Sequence, residues 1–260
     1  MNVKFFKYQG TGNDFVMIDN RKDEFPCNDQ QLIATICDRR YGVGADGVIT
    51  IQNHKTADFL MHYFNADGLI GSFCGNGGRC VVAFAKYLGL IEKQTCFAAF
   101  DGLHDATISG NVVSLSMLDV NQIQTYPTHA ILDTGSPHHV EFVKDTKNVD
   151  VLTQGAMIAH NPTYGDEGTN VNFVEVGNAR QIQVRTFERG VENETLSCGT
   201  GVTAAALAAF HTGRVRNSKI EVHTLGGDLT VSFTPNGKGF SDIVLTGPTE
   251  LIFSGMLELK

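Results

Sequence analysis

Several features that define common protein classes are missing from this sequence of 260 residues. It has no apolar run of the length that a membrane-spanning helix needs, and its first residues contain no long apolar region with a cleavage signal. Basic residues are few: 20 Lys and Arg stand against 28 Asp and Glu, which gives a net charge of −8. We therefore expect no membrane partner, no nucleic-acid partner and a cytoplasmic location.

The sequence also lacks any pair of cysteines in a C-x-x-C spacing, although it contains six cysteines. A zinc ribbon and a thioredoxin-like site are therefore not indicated. A chain of this length buries a core without disulfides, and thiols stay reduced in a cytosolic setting. Cys27, Cys37 and Cys96 have no glycine-rich or polar motif around them, and we expect them to be bystanders in the core or at the surface.

The pattern Cys-Gly-X-Gly occurs twice, at Cys74 and at Cys198. Each copy is followed by an unusually apolar stretch, and these stretches end at Gly89 and Gly213. A helix that is apolar on nearly all faces must be surrounded by other structure. The sequence therefore predicts two buried helices, each of which begins at a cysteine.

Strand patterns flank both predicted helices, in a similar order in each half of the chain. Apolar and β-branched segments predict strands at 3–8, 15–19, 48–51, 57–64, 111–117, 131–134, 171–176, 181–187, 219–224, 228–233, 242–246 and 250–254. A further helix, capped by Asn28 or Asp29, carries Leu32, Ile33 and Ile36 on one face. We expect an α/β (α+β) fold with two pseudo-symmetric domains, each a curled, mostly antiparallel sheet around a central buried helix.

The N-terminal domain is expected to span residues 1–118, with a strand at about 249–260 returning to it, and the C-terminal domain residues 119–248.

Two loops in the first half have more than one interpretation. Gly10–Asp14 is either a plain hairpin turn or a loop that exposes the Asn13 side chain. Tyr41–Gly47 contains G-x-G-x-x-G, but a predicted helix precedes it and a strand follows, which is the reverse of a dinucleotide fingerprint.

A cysteine at a helix N-terminus is chemically distinctive, because the helix dipole and the unpaired amides there stabilise a thiolate. Two matched cysteines suggest two acid/base groups on opposite faces of one carbon, an arrangement that inverts a stereocentre without a cofactor. The alternative is a pair of structural cysteines at helix starts. His138 and Glu188 are the nearest candidates for tuning thiol ionisation. Alternatively, His138 is a surface loop residue. Glu188 and Arg189 are then a solvated ion pair. Arg189 could instead bind a carboxylate.

These motifs, in this order, resemble the diaminopimelate epimerases, the cofactor-independent amino-acid epimerases of bacterial lysine and cell-wall biosynthesis. The resemblance covers nearly the whole chain and rests on Gly10–Phe15, Gly42–Gly47, Asn65–Gly68, Cys74–Gly77, Gly135–His138, Asn170, Glu188–Gly190 and Cys198–Gly201. It implies two pseudo-symmetric domains with a site in the cleft between them, diaminopimelate as the small-molecule substrate, no metal and no pyridoxal phosphate. A homodimer is expected by analogy.

The resemblance also implies roles for individual residues. Cys74 and Cys198 would be the acid/base pair, and His138 and Glu188 would tune them. The implied substrate contacts are Asn13, Asn65, Gly75, Asn76, Asn170, Glu188, Arg189, Gly199 and Thr200. Some family members have Gln where Gly47 stands, so no side-chain contact is available at this position, and many have Asn where the shorter donor Ser136 stands.

Two other functions remain open at this point. A proline or hydroxyproline racemase uses a similar cysteine pair, but a polar distal pocket formed by Asn13, Asn65 and Asn170 favours a substrate with a second amino-acid head. A binding or isomerase protein with the same fold would lack the two thiols, and both thiols are present here.

Overall fold

The computed structural model describes residues 2–237 and 239–259. The chain divides into two compact units: the first contains the residues up to Leu115 and those from Gly247 onward, and the second is Ser116–Thr246. The boundaries expected from the sequence, at residues 118 and 248, stay a prediction about where independently folding domains end. Among the helices in the described ranges, none is long and apolar enough to cross a membrane.

The described part of the chain contains 17 strands and four α-helices, together with two single-turn 3₁₀ helices at Thr146–Asn148 and Pro162–Tyr164. In chain order the α-helices and strands are β1 Asn2–Gly10, β2 Asn13–Asp19, α1 Gln30–Cys37, β3 Gly47–Gln52, β4 Leu60–Asn65, α2 Gly75–Tyr87, β5 Gln94–Ala99, β6 Gly102–Ser109, β7 Val112–Ser116, β8 Ile123–Thr125, β9 His129–Asp133, β10 Pro137–Phe142, α3 Val151–Ala159, β11 Asn170–Asn178, β12 Gln181–Glu188, β13 Asn193–Thr195, α4 Gly199–His211, β14 Lys219–Thr224, β15 Gly227–Asn236, β16 Gly239–Pro248 and β17 Glu250–Glu258.

The first unit builds its sheet around α2. β1 pairs antiparallel with β2 and β17, β3 with β4, β5 with β6 and β6 with β7, while β2–β3 and β4–β5 are parallel. α2 packs on β1, β2, β3, β4 and β6, and its Val81, Val82, Phe84 and Ala85 are completely buried. The strands therefore supply the apolar surroundings that this helix requires.

The second unit repeats this arrangement around α4. β9 pairs antiparallel with β8 and β10, β12 with β11 and β13, and β15 with β14 and β16, while β10–β11 and β12–β14 are parallel. α4 packs on β9, β10, β11, β12, β14 and β15, and every residue from Val202 to Ala209 is completely buried. The predicted fold class, with a mostly antiparallel sheet around a buried helix in each half, is confirmed.

The Gly10–Asp14 segment is a two-residue hairpin turn. Thr11 and Gly12 both have positive φ, 51° and 85°, and Gly10 pairs with Asn13 across the antiparallel strands. Two consecutive positive φ angles match the twist of the strands that they join. The plain turn is therefore the correct description of the backbone, and Asn13 is the first residue of β2.

Some local predictions were wrong or incomplete. The strand predicted at 57–64 begins at Leu60, because Asp58 bonds to the Cys96 carbonyl before the regular ladder starts. Helix α3 was not predicted from the sequence, because Gly155 in its middle weakens the helix signal. Here a Cβ on Gly155 would lie 2.4 Å from Cβ of Phe187, so the glycine allows α3 to pack closely on β12.

Candidate active site

Cys74 is the N-cap of α2, as the sequence predicts. Its backbone is extended, with φ −108° and ψ 115°, and its Sγ atom accepts a hydrogen bond from the amide of Gly77 at 3.4 Å. A Cβ on Gly77 would lie 2.8 Å from the Ile49 side chain, and one on Gly78 would lie 2.8 Å from Phe73. The glycines therefore allow the first turn of α2 to fit against its neighbours, with its amides near the thiol.

Asn13 joins the hairpin turn to this cysteine. Its Oδ1 atom accepts hydrogen bonds from the Cys74 thiol at 3.6 Å and from the side-chain amide of Asn76 at 3.2 Å. Its own side-chain nitrogen donates to Asp46 at 2.6 Å. Three predicted site residues of the first half, Asn13, Cys74 and Asn76, are thus in direct contact.

Asn13 lies next to a group of ion-paired residues. Sequence reasoning did not assign these residues to the site. Lys7 is buried and forms an ion pair with Asp14 at 2.7 Å, and its amine also contacts the Gly44 carbonyl. Arg39 bridges Asp14 and Asp46 at 2.7 and 2.8 Å. Burial works to raise the pKa of Asp14, but the hydrogen bonds from Arg39 and Lys7 outweigh it and hold that pKa below its usual value. The partner of Asn13, Asp46, is therefore held in place by a cation.

Arg79 is another residue that sequence reasoning missed. Its side chain is completely buried in α2 and donates hydrogen bonds to Asn76 Oδ1 at 3.0 Å and to the Thr11 hydroxyl at 3.1 Å. Its Nε atom has no hydrogen-bond partner among the described residues. Burial lowers the pKa of this guanidinium, while the nearby thiols of Cys80 and Cys74 act in the opposite direction. A buried cation therefore interacts favourably with negative charge on Cys74.

Asn65 and Gly75 complete the predicted residues of the first unit. Asn65 ends β4, is half-buried and pairs with Gly47 of β3. A Cβ on Gly47 would lie 2.4 Å from the Phe64 carbonyl oxygen, so the backbone leaves no room for a side chain at that position. Gly75 is buried at the first position of α2, beside Cys74.

Cys198 is the N-cap of α4 and has nearly the same backbone angles, φ −118° and ψ 115°. Cys198 is only 8% exposed, and its Sγ atom lies 3.4 Å from the Thr200 hydroxyl. The Thr200 carbonyl accepts a hydrogen bond from the Thr134 hydroxyl at 3.0 Å, and that of Gly199 accepts one from the Thr203 hydroxyl at 2.9 Å. The predicted residues Gly199 and Thr200 are thus the buried first turn of α4.

His138 is buried in β10, so the interpretation as a surface loop residue is wrong. It is inaccessible to solvent, and its Nδ1 atom lies 3.1 Å from the side-chain nitrogen of Asn172, which sequence reasoning missed. Burial, with a smaller contribution from the positive charge of Arg189, lowers the pKa of His138 to about 3. Asn172 also reaches the N-terminus of α4, because a Cβ on Gly201 would lie 2.4 Å from its Oδ1 and 3.3 Å from Cys198 Sγ.

Asn170 and Arg189 meet at the ends of β11 and β12. The Asn170 side chain is nearly buried, donates to Ser136 Oγ at 2.8 Å and to the Pro137 carbonyl at 3.1 Å, and accepts from the Arg189 backbone amide at 3.0 Å. Ser136, whose side chain is shorter than the Asn that many family members have at this position, therefore positions Asn170. The Arg189 guanidinium forms a 3.4 Å ion pair with the highly exposed Glu167.

Glu188 is the last residue of β12, is half-buried and pairs with Asn193 of β13. Its backbone carbonyl accepts the amide of Glu192 at 2.9 Å. Glu188 thus lies at the same strand end as Arg189, one residue before it in the chain.

Comparison with known proteins gives one family. A family model described as diaminopimelate epimerase matches residues 5–109 and 130–252. A diaminopimelate epimerase of Flavobacterium psychrophilum is 49% identical over 252 residues, covering 96% of this chain and 98% of the relative. One from Chlorobaculum tepidum is 43% identical, covering 96% and 99%. This chain belongs to the diaminopimelate epimerase family.

Solved structures with low sequence identity share the fold of the family. A PhzF-family phenazine biosynthesis protein of Bacillus anthracis matches with a TM-score of 0.78 at 14% identity, covering 100% of both chains. A probable proline racemase of Agrobacterium radiobacter matches with a TM-score of 0.71 at 16% identity, covering 99% of this chain and 93% of the other. At these identities the likeness concerns the fold alone.

Proposed function

We propose that this protein interconverts LL- and meso-2,6-diaminopimelate, as an isomerase that needs no metal and no pyridoxal phosphate. Membership of the diaminopimelate epimerase family supports this substrate. The observation that carries the chemistry is the position of Cys74 and Cys198, each of which is the N-cap of a buried helix. In metabolic terms the reaction would supply lysine and peptidoglycan precursors.

The proposed reaction is a proton exchange at one α-carbon. One thiolate takes the α-proton, so that a C–H bond breaks, an S–H bond forms and the electron pair stays on carbon. The thiol on the opposite side then gives its proton to that carbon and becomes a thiolate. Charge and protons balance without an oxidant, and the two cysteines exchange roles in the reverse direction.

The first turn of each helix supplies electrostatic stabilisation. Backbone amides at a helix N-terminus carry partial positive charge and have no intrahelical partner, so they stabilise anions. We assign the amides around Gly75, Asn76, Gly199 and Thr200 to the α-carboxylate of the substrate. They would stabilise the negative charge that the carbanion spreads onto this group in the transition state.

Asn13 and Arg79 favour Cys74 as an acid/base group. When Cys74 is protonated, its thiol donates a hydrogen bond to Asn13 Oδ1, and the Gly77 amide donates a hydrogen bond to the sulfur. The buried Arg79 cation favours the thiolate. Each protonation state of Cys74 therefore has a neighbour that stabilises it. An acid/base group needs this, because it alternates between the two states during the reaction.

In the second unit we assign His138 and Glu188 to tuning the ionisation of Cys198. His138 is buried and neutral, so it can donate a hydrogen bond but cannot carry the α-proton near neutral pH. Its neighbour Asn172 touches the same turn of α4 as Cys198. Glu188 is the acidic group of the adjacent strand end and is proposed both to tune the thiol and to contact the substrate.

The polar residues Asn65, Asn170 and Arg189 are assigned to the second amino-acid head of diaminopimelate. The Arg189 guanidinium lies 3.4 Å from both the carboxylate and the backbone carbonyl of the exposed Glu167, and exposed ion pairs are weak. A substrate carboxylate can replace Glu167 and gain a two-pronged contact with the guanidinium. The backbone hydrogen bond to Asn170 holds the strand end from which Arg189 projects.

Two further proposals rest on the family and on thiol chemistry. We propose that the protein is a homodimer, to be checked by size-exclusion chromatography with light scattering. We also propose that it acts in the cytoplasm, since the mechanism needs reduced thiols and thiols stay reduced in that compartment.

The test of the substrate is turnover by the purified protein. LL-diaminopimelate should be converted to the meso form until both are present, as chiral chromatography would show, and L-proline should not racemise. Racemisation of L-proline with no turnover of diaminopimelate would overturn the substrate. The matched variants Cys74→Ala and Cys198→Ala should lose activity, whereas Cys96→Ala, at a cysteine outside the proposed site, should retain it.

A further inference from the structure

Three side chains with metal-binding chemistry meet on one face of the β9–β10 ladder. His129 and Glu141 are opposite each other in the antiparallel register, and His139 is two residues before Glu141. Side chains two residues apart on a strand share a face, whereas His138 projects to the other face. One possible ligand atom from each of His129, His139 and Glu141 lies within 4.8 Å of the other two.

The geometry within the cluster is already close to coordination. The Nε2 atom of His139 lies 3.0 Å from Glu141 Oε2, and the Nδ1 atom of His129 lies 4.0 Å from the same oxygen. The two imidazole rings stack at 4.5 Å with an angle of 18°, and Tyr126 stacks on His129 at 4.4 Å. Stacking and strand pairing restrict the rings, so little conformational entropy remains to be lost on binding.

Tyr164 orients His139. Its hydroxyl oxygen lies 2.6 Å from Nδ1 of His139, which occupies one ring nitrogen and directs the other, Nε2, at Glu141. Histidines that bind metals almost always have their second ring nitrogen held by a polar partner, which fixes the tautomer and the ring orientation. Tyr164 fills that position here, and His139 itself is nearly buried, with a side-chain exposure of 6%.

We propose that His129, His139 and Glu141 bind one divalent transition-metal ion, with Zn²⁺ as the preferred ion and a fourth coordination position open. Two imidazoles and one carboxylate suit Zn²⁺, whereas Mg²⁺ and Ca²⁺ prefer oxygen ligands. Bonds of about 2.0–2.2 Å place tetrahedral ligands about 3.3 Å apart. The His139–Glu141 pair, at 3.0 Å, is already near this spacing, and only a small shift of the His129 ring within its stack is needed to shorten its 4.0 Å distance to Glu141.

This site is distinct from the epimerase chemistry proposed above and does not depend on it. His139 and His138 are neighbours in β10, and their side chains lie on opposite faces of the strand. A metal ion on the His139 face would hold β9 to β10 and so stabilise the strand that carries His138. We therefore expect metal binding to raise the midpoint temperature of unfolding while the α-proton chemistry needs no metal.

The experiment must separate this site from the thiols, because cysteine also binds zinc. The full chain carrying Cys74→Ala and Cys198→Ala is treated with a chelator and titrated with Zn²⁺ by calorimetry and with Co²⁺ by visible spectroscopy. One equivalent should bind, and the cobalt spectrum should show tetrahedral d–d bands without the charge-transfer band of a thiolate ligand.

Substitutions in this background then locate the site. His129→Ala and Glu141→Gln should weaken Zn²⁺ binding by at least about tenfold, and Tyr164→Phe by about tenfold through loss of the orienting contact. The matched control is His160→Ala, which removes another His–Glu pair, 2.6 Å from Glu192, and should leave binding unchanged.

Two results would overturn the proposal. One is no Zn²⁺ or Co²⁺ binding in the background protein, which would make the cluster a hydrogen-bonded histidine pair only. The other is unchanged affinity in His129→Ala, a partly exposed position where the variant should fold, as checked by its circular dichroism and unfolding temperature.

Discussion

Asn172 donates its side-chain NH₂ group to the Nδ1 atom of His138 over 3.1 Å. The amide orientation of Asn172 is set by two further contacts, since its Oδ1 accepts from the Thr186 hydroxyl at 2.9 Å and its nitrogen reaches the His139 carbonyl at 3.3 Å. Nδ1 of His138 is therefore an acceptor, and the neutral ring carries its proton on Nε2. Nε2 is buried and has no hydrogen-bond partner within the described residues.

This arrangement predicts a loss of stability in acid. The folded-state pKa of His138, lowered to about 3 by burial and by Arg189, lies below the value of about 6.5 in the unfolded chain. Between these values the unfolded state binds more protons, so folding is penalised as the pH falls below about 6.5, by roughly 1.4 kcal/mol for each pH unit. Between pH 7 and 5, His138 should cost about 2 kcal/mol, measured by urea unfolding.

The comparison is with His138→Gln, which keeps a polar side chain but does not titrate. This variant should be less stable than the wild type at pH 7, because its fit is poorer, yet it should lose about 2 kcal/mol less between pH 7 and 5. His54→Gln, at an exposed histidine, should follow the wild type. Parallel pH curves for wild type and His138→Gln would contradict this prediction, because they would mean that the pKa of His138 is the same in the folded and unfolded states.

Arg79 should control the reactivity of Cys74. Replacing it with Met removes a buried positive charge that interacts with this thiol. Because the thiolate is the reactive form, alkylation of Cys74 by iodoacetamide at pH 7 should slow by about three- to tenfold, measured in a Cys198→Ala background by peptide mass spectrometry.

The control for this substitution is Arg185→Met in the second unit. Arg185 also has its guanidinium engaged, with Glu194 at 2.6 Å and with the Thr146 and Val149 carbonyls, all of which belong to the second unit. Its loss should leave the alkylation rate of Cys74 unchanged. Equal rates in wild type and Arg79→Met would mean that the buried cation has no influence on the thiol.

Gly201→Ala tests the packing at the N-terminus of α4. An added Cβ would lie 2.4 Å from Asn172 Oδ1 and 3.3 Å from Cys198 Sγ, and Asn172 is held by its own hydrogen bonds. Such overpacking should cost about 1–3 kcal/mol of unfolding free energy. The substitution should also lower kcat more than it raises KM. It displaces the Cys198 thiol and Asn172, the neighbour of His138, but it leaves the substrate-binding residues Asn170 and Arg189 in place.

Gly237→Ala serves as the matched control, since a Cβ there would have no atom of the described residues within 4 Å apart from its chain neighbours. Its stability and activity should equal those of the wild type. A Gly201→Ala protein with wild-type stability would show that Asn172 can move freely, and the positioning of His138 by Asn172 would then be wrong.

The sequence was sufficient for those parts of the fold that depend on local pattern. The two buried helices were predicted because each has a cysteine, glycines and an apolar run in continuous order, and the structure has both helices, each with its cysteine at the N-cap position. β6 carried a weaker signal: its inward positions include His104 and Ala106, so the alternation of apolar residues is poor.

The supporting residues of the candidate site could not be predicted in the same way. Arg79 occurs in an apolar helix, where a charge normally indicates exposure, and its partner Thr11 is 68 residues away in the sequence. Asn172 is a completely buried polar residue in the central strand β11, and only that mismatch with its apolar neighbours could have identified it. Burial of His138 depends on the covering of β10 by α4, which no local pattern specifies.

The most direct test of the two-cysteine account is the location of deuterium during the first turnovers of LL-diaminopimelate in D₂O. With one thiol on each face, the meso product should carry deuterium at the inverted carbon while the remaining LL substrate stays largely unlabelled. Cys74→Ala and Cys198→Ala should each lower the epimerisation rate by at least about 10³-fold. Equal labelling of substrate and product, or full activity with either thiol removed, would contradict the account.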